Sequence, residues 1–368
     1  MNKAAQQFLE AVSKYKNIAL YIPGSPDPDA IASAYAIKIL LKKNSINSDI
    51  FAETRLSLPQ NKAFLEILKI PVTFGKDINL NKYDSYIVTD FQSNHVKKIG
   101  DKLPCAAHID HHAKSKDTVK SDFSLIKTES GSTSTLVALI IKNLNMDISD
   151  KDMKSIATAL AFGIQTDTDK YNHTTPLDVE ALNYLTPFVD KKILTSINNM
   201  PVSPQTLLCY KKGLANETIY KDWGMYGIGY IDSKSRDSIA ISADMILQNS
   251  ELKIVAVYAI IENHKNNNIY LDVSFRSKSS KLNLNRIIKG ITPNGGGRKY
   301  KGAYQIKLDY FRNAPDRNLL WDIVESTTLE TLKIRRDSIT MYIDELESFY
   351  SSIKTRLLSI LKKNGDVS

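Results

Sequence analysis

The chain has 368 residues, 42% apolar and 24% charged, with a net charge of +9. That length predicts two or three domains with packed cores, and no stretch approaches the roughly 20 apolar residues of a membrane-spanning helix. Two cysteines, Cys105 and Cys209, rule out a disulfide framework. With no basic-then-apolar pattern from Met1 to Glu10, they predict a cytoplasmic protein. The basic balance favours polyanionic partners such as nucleotides or RNA.

Asn17 to Ile22 is an apolar run that predicts a buried strand. Pro23 to Asp29 is a turn-rich loop, and Ala30 to Leu41 reads as a helix with small residues (Ala32, Ser33, Ala34, Ala36) for close packing. Asp27 and Asp29 therefore lie between a strand end and a helix start. Carboxylates there serve either as metal ligands or as helix N-caps. A second strand is predicted at Ser48 to Ala52, a short helix at Asn61 to Lys69, and a third strand at Ser85 to Phe91. Asp90 sits at the carboxyl end of that third strand.

The fourth strand opens into His108-Ile109-Asp110-His111-His112, which holds three of the six histidines. This is either a first shell for a divalent metal or a polar loop with surface histidines. Strands alternating with helices predict a parallel sheet covered by helices. Ser130 to Ser134 caps a helix from Thr135 to Asn143. Another helix, Lys154 to Phe162, ends in Gly163 to Asp169, so Asp167 is expected just beyond a helix end. Two or three further helices are predicted from Asp178 to Asn216.

Near residue 220 the composition shifts. Met225 to Ile231, Leu252 to Glu262 and Ile269 to Phe275 are strand-like, with a helix at Ser242 to Gln248. They predict a second, smaller α/β domain. Within it, Gly295-Gly296-Gly297-Arg298-Lys299 offers a backbone able to approach a phosphate, with cations beside it; the alternative is a flexible surface hairpin. From Pro315 to Lys363 the pattern is helical, with an apolar stripe that packs on the body or pairs with a second copy.

Four separated segments thus place Asp or His at predicted element ends: Asp27 and Asp29, Asp90, His111 and His112, and Asp167. Carboxylates with imidazole suit Mn²⁺ or Mg²⁺ better than a structural zinc. A carboxylate shared by two ions gives the arrangement used for phosphoester hydrolysis.

On these motifs the chain resembles the DHH phosphoesterases that carry a glycine-rich C-terminal domain: oligoribonucleases, 3′-phosphoadenosine 5′-phosphate phosphatases and cyclic-dinucleotide phosphodiesterases. The matching residues are Asp27-Pro28-Asp29-Ala30-Ile31, Asp90, Asp110-His111-His112, Gly163 to Thr168, Arg276-Ser277 and Gly295 to Gly297. The resemblance implies an α/β fold. It implies a parallel-sheet catalytic domain with helices on both faces (1–195) and a smaller α/β substrate-binding domain (221–312); the helical connector (196–220) and the helical extension (313–368), which lies outside the resemblance, follow from the helical pattern alone. It further implies two Mn²⁺ ions, with Mg²⁺ or Co²⁺ as alternatives. Asp27 and Asp90 would hold one ion; Asp29, Asp90, His111 and Asp167 the other. His112 would contact the scissile phosphate or support proton transfer. Arg276, Ser277, Gly295, Gly296, Gly297 and Arg298 would bind substrate.

Two positions depart from the family pattern. Pro23 stands where a metal-binding histidine is usual, and Arg298 replaces a histidine after the glycines. The expected function is hydrolysis of short RNA, dinucleotides or bisphosphonucleotides by metal-activated water. The alternative is a degenerate member that grips nucleic acid or nucleotide without cleaving it. No membrane partner is expected, and a homodimer stays open.

Overall fold

The computed structural model describes residues 1–339, apart from 25, 57, 76–77, 93–95, 117, 264–267 and 280. The chain divides into two compact units, Met1–Pro201 and a second that begins at Val202.

The first unit contains α1 (Asn2–Val12), β1 (Asn17–Ile22), α2 (Pro28–Lys43), β2 (Asn47–Ala52), α3 (Pro59–Leu68), β3 (Val72–Phe74), β4 (Ser85–Thr89), α4 (Lys97–Gly100), β5 (Cys105–Asp110), β6 (Ser121–Ile126), α5 (Thr133–Leu144), α6 (Asp150–Asp167), α7 (Pro176–Leu185) and α8 (Lys191–Asn198). Its six strands form one sheet in the order β3-β2-β1-β4-β5-β6, parallel throughout. The strands are apolar because both faces are buried. Ile18, Leu20 and Ile22 pack into the large core beneath α2, α5 and α6, while Ala19 and Tyr21 point to the opposite core with Val88 and Ile99. Helices thus cover both faces, unequally: the first holds the long helices, the second the short α4. β1 is flanked by β2 on one side and β4 on the other, so the sheet reverses its winding direction between β1 and β4. Loops leaving the carboxyl ends of such strands diverge and leave a crevice.

The second unit contains α9 (Pro204–Ala215), β7 (Glu217–Tyr220), β8 (Trp223–Asp232), α10 (Asp237–Gln248), β9 (Ile254–Asn263), β10 (Asn268–Ser277), α11 (Leu284–Lys289), β11 (Gly296–Gly297) and β12 (Lys301–Lys307). Its sheet runs β11-β12-β10-β9-β8-β7. Only β8 and β9 pair in parallel, as the crossover through α10 requires. A further helix, α12, covers residues 317–339 among the described residues. It buries Leu320, Val324 and Leu332 against the sheet, and Trp321 stacks on Tyr258 at 5.9 Å. The expected C-terminal extension is therefore built into the second unit as far as residue 339; its remainder lies outside the described residues.

Candidate metal centre

The centre is assembled at the carboxyl edge of the first sheet. After β1 the chain reaches Asp27, the N-cap of α2, whose carboxylate accepts from the Ala30 N–H at 2.9 Å. Pro28 starts the helix, since the missing N–H of proline is no loss there. Asp29 follows, fully buried. Its two oxygens accept from the N–H groups of Thr133 (2.8 Å) and Ser134 (2.7 Å), the positive end of α5. The Ser130 to Ser134 run thus does two jobs. Ser132 caps α5 by accepting from the Thr135 N–H, and the next two amides bind Asp29.

Asp90 follows β4 in the left-handed region, φ 61°. Such a backbone is disfavoured outside glycine but best tolerated by Asp and Asn. Its N–H donates to the Ile109 carbonyl at 2.9 Å, and its Oδ1 accepts from the Thr133 hydroxyl at 3.1 Å. Asp167 is the last residue of α6. The helix expected to stop at Phe162 runs five residues further, because Gly163 is a close-approach residue and not a breaker. A methyl group on Gly163 would meet the Ser134 Oγ at 2.3 Å and the Asp29 Cα at 3.2 Å.

His111 lies just beyond β5. Its Nδ1 is 3.2 Å from the Ser130 carbonyl. A carbonyl only accepts, so Nδ1 carries a proton and Nε2 is left facing Asp167 Oδ2 (3.0 Å) and Asp90 Oδ1 (3.4 Å). Nε2 has no hydrogen-bond partner of good geometry. Burial opposes a charge on His111, but Asp167, Asp90 and Asp29 together raise its pKa to about 11. Burial, with the carboxylates of Asp167 and Asp90, pushes Asp29 well above the usual carboxylate range. The group is therefore short of positive charge, and either a proton or a cation between the side chains supplies it.

Ligand atoms of Asp29, Asp90, His111 and Asp167 all lie within 4.8 Å of one another, and Asp90, His111 and His112 form a second such group. A buried imidazole nitrogen without a good partner, set among three carboxylates, with the other nitrogen held by a carbonyl, fits a divalent cation. Asp27 is in neither group.

His112 is 39% exposed, and its Nδ1 is 2.7 Å from Asp110 Oδ1. That oxygen also accepts from the His111 and His112 amides. Burial works to raise the Asp110 pKa, but His112 outweighs it and holds the carboxyl below its ordinary range. Asp110 thus orients His112. Asp178, fully buried in the first turn of α7, is a second organiser. It accepts from the Gly131 N–H at 3.0 Å, the Thr135 hydroxyl at 2.6 Å and the Thr175 N–H at 2.7 Å. It thereby pins the loop that holds both His111 and Asp29. Asp178 carried no signal in the sequence beyond a helix start, and Asp110 was visible only as part of its motif.

The expected substrate residues all lie in the second unit. The Arg276 guanidinium grips Asp244 through two nitrogens (2.6 and 3.1 Å) and donates to the Phe275 carbonyl. The Ser277 N–H donates to the Tyr300 carbonyl, and the Arg298 N–H to the Lys301 carbonyl. Gly296 and Gly297 pair with Ala303 and Gly302. A side chain on Gly297 would collide with the Lys301 carbonyl at 2.3 Å. The hairpin is pinned, not flexible, and packing alone already requires glycine there.

Fold and site together define an α/β protein with an acid–histidine cluster that could hold a metal ion at the switch point of a parallel sheet. Residues 17–164 match the DHH family, N-terminal domain, so the first unit contains a segment similar to that domain. The chain is 30% identical over 320 residues to an uncharacterized protein of Methanocaldococcus jannaschii, covering 85% of this chain and 63% of that protein. The chain thus spans less than two thirds of that relative's length. Among solved structures it is similar to an exopolyphosphatase-related protein from Bacteroides fragilis, with a TM-score of 0.63 and 19% identity, over 82% of this chain and 91% of that one. It is more loosely similar to the exonuclease RecJ bound to manganese, with a TM-score of 0.42 and 11% identity, over 88% and 94%. Among the described residues, no helix is long and apolar enough to cross a membrane.

Proposed function

We propose that the chain is a metal-dependent phosphoesterase that hydrolyses short oligoribonucleotides, dinucleotides or bisphosphonucleotides. The observation that carries this reading is the convergence of Asp29, Asp90, His111 and Asp167 from four separate segments to within 4.8 Å. These four would hold a divalent ion, taken as Mn²⁺, with Mg²⁺ or Co²⁺ as alternatives. When bound, such an ion lowers the pKa of an attacking water and stabilises charge on the phosphoryl oxygens.

The chain's own residues would do the rest. Asp110 fixes Nδ1 of His112, so exchange of a proton with the substrate falls to Nε2. Thr133 holds Asp90 and the α5 amides hold Asp29, so neither ligand reorients during the reaction. Asp244 orients Arg276 and leaves one N–H on each terminal nitrogen for a phosphate oxygen.

A binding protein without turnover is the second reading. It is favoured by Pro23, which has no ligand atom, and by Asp27, whose carboxylate caps α2. Both weaken the place of a second ion. Product analysis separates the two. The chain is incubated with Mn²⁺ and a labelled RNA dinucleotide, a five-nucleotide RNA, a cyclic dinucleotide or adenosine 3′,5′-bisphosphate. Mononucleotide or phosphate release, lost in Asp90→Ala, supports the enzyme; binding without release on every substrate supports the second reading.

A further inference from the structure

The segment that follows β5 is held by a side chain outside the candidate metal centre. Residues 111–116 belong to no helix or strand, and Ala113, Lys114 and Lys116 are exposed. A backbone of that kind keeps one shape only if something ties it down. The tie is Gln92, which is 6% exposed. Its amide nitrogen donates to the His112 carbonyl at 2.9 Å and to the Ala113 carbonyl at 3.3 Å, and its amide oxygen accepts from the Ser115 N–H at 2.8 Å. Acceptors on one side and a donor on the other admit a single orientation of the amide. They also demand an amide: a carboxylate cannot donate and an ammonium cannot accept. The main chain of Gln92 adds a further bond, its carbonyl accepting from the Val119 N–H at 3.1 Å.

What this clamp holds is His112. The His112 N–H and ring Nδ1 both go to Asp110 Oδ1, at 3.2 and 2.7 Å, and its carbonyl goes to Gln92. Two buried side chains thus fix three polar groups of one half-exposed histidine. Gln92 also stands two residues beyond Asp90, whose Oδ1 is 3.5 Å from His112 Nδ1. The path from Asp90 to His112 therefore runs through two peptide units and one hydrogen bond, although Gln92 and His112 lie 20 residues apart in the chain. An acid of the cluster and the histidine at its rim are joined as one body.

We propose that Gln92 is a positioning residue that fixes the His112 imidazole relative to Asp90. This rests on the proposed function, in which His112 exchanges a proton with the substrate. Proton transfer tolerates little misplacement, because the distance between donor and acceptor and the angle at the proton must both be met. Asp110 sets how the ring is turned; Gln92 sets where it stands.

Gln92→Met tests this, since methionine keeps the reach of the side chain and removes both its donor and its acceptor. With Mn²⁺ and a labelled RNA dinucleotide, the variant is expected to lower kcat about 100-fold, as a displaced catalytic group does, and to leave KM and Mn²⁺ affinity within about twofold. In a His112→Ala background it is expected to cause no further loss, because the two residues act as a unit. A full additional loss there, or a parallel fall in Mn²⁺ affinity, overturns the proposal, since Gln92 would then support the fold or the cluster and not His112. So does a variant as active as the parent. A second readout needs no turnover. ¹⁵N-histidine NMR of the metal-free full chain at about pH 8, above the ordinary histidine range, reports which ring nitrogen carries the proton. The His112 signals are those missing from His112→Ala. The parent is expected to show the proton on Nδ1, and Gln92→Met to show it shared between Nδ1 and Nε2. His112 signals that are the same in parent and variant overturn the proposal. Where the parent cleaves no dinucleotide, the NMR result alone decides the clamp, and the proposed hydrolysis fails separately.

Discussion

Two sets of carboxylates in this molecule are solved in opposite ways. In the second unit, Asp272 and Asp244 each meet an arginine, Arg236 and Arg276. In the first unit, Asp29, Asp90 and Asp167 share one histidine. A paired acid is satisfied by the fold itself. Three acids around one imidazole are not, and their repulsion persists until something positive enters. The first arrangement supports structure; the second leaves a place for a proton or a cation.

The largest expected effect breaks the unbalanced set. Asp90→Asn should lower turnover by at least about a thousandfold, a loss in keeping with removal of a group that stabilises transition-state charge. It should leave the metal-free unfolding midpoint unchanged or higher, because one of three repelling charges has gone. A product assay run beside thermal unfolding in chelator checks both halves. A fall in the metal-free midpoint would mean that the cluster is structural. Next, Asp178→Asn turns an acceptor into an amide donor facing the Gly131 or Thr175 N–H. The Ser130 to Ser134 loop then shifts, and affinity for Mn²⁺ should fall about 10- to 100-fold. Thr175→Ala removes the α7 cap but keeps the Gly131 bond, so it should lower stability by about 1 kcal/mol while leaving Mn²⁺ affinity intact. Titration of both variants with Mn²⁺ separates positioning from simple destabilisation.

A smaller effect sharpens the same contrast. Mn²⁺ at about a hundred times its dissociation constant should stabilise the native protein by about 2.7 kcal/mol. This is read as a rise in unfolding midpoint that Asp90→Asn abolishes. Arg236→Ala, by contrast, strands the buried Asp272 and should cost about 2 kcal/mol with or without Mn²⁺. The Gln305 amide, which also donates to Asp272, softens that loss.

Much of the first unit was legible because buried parallel strands are written as apolar runs: Asn17 to Ile22 and the strand before His111 are examples. What escaped was short or polar. β3 has three residues, and β6 (Ser-Asp-Phe-Ser-Leu-Ile) is a half-exposed edge strand. β12 was hidden because it begins Lys-Gly-Ala, a poor strand sequence that its pairing with β10 overrides. The candidate metal centre was legible as a set of residue types at element ends, since such ligands are acids or imidazoles. Its supports were not. Asp178, Thr133 and Ser134 act through backbone bonds to residues far along the chain, which no local pattern records. Asp27 was read both as a ligand and as a cap, and its hydrogen bond to Ala30 is that of a cap.

Gly163 has a consequence for tolerance. Behind Asp29 there is no room for a methyl group on α6: a Cβ on Gly163 would lie 2.3 Å from the Ser134 Oγ and 3.2 Å from the Asp29 Cα. The same helix carries Asp167 at its end, about one turn further on. The gap between two helices is therefore the ruler that sets the distance between two ligands. One added carbon, Gly163→Ala, presses first on the Ser134 hydroxyl and then on the Asp29 backbone, without altering any charge.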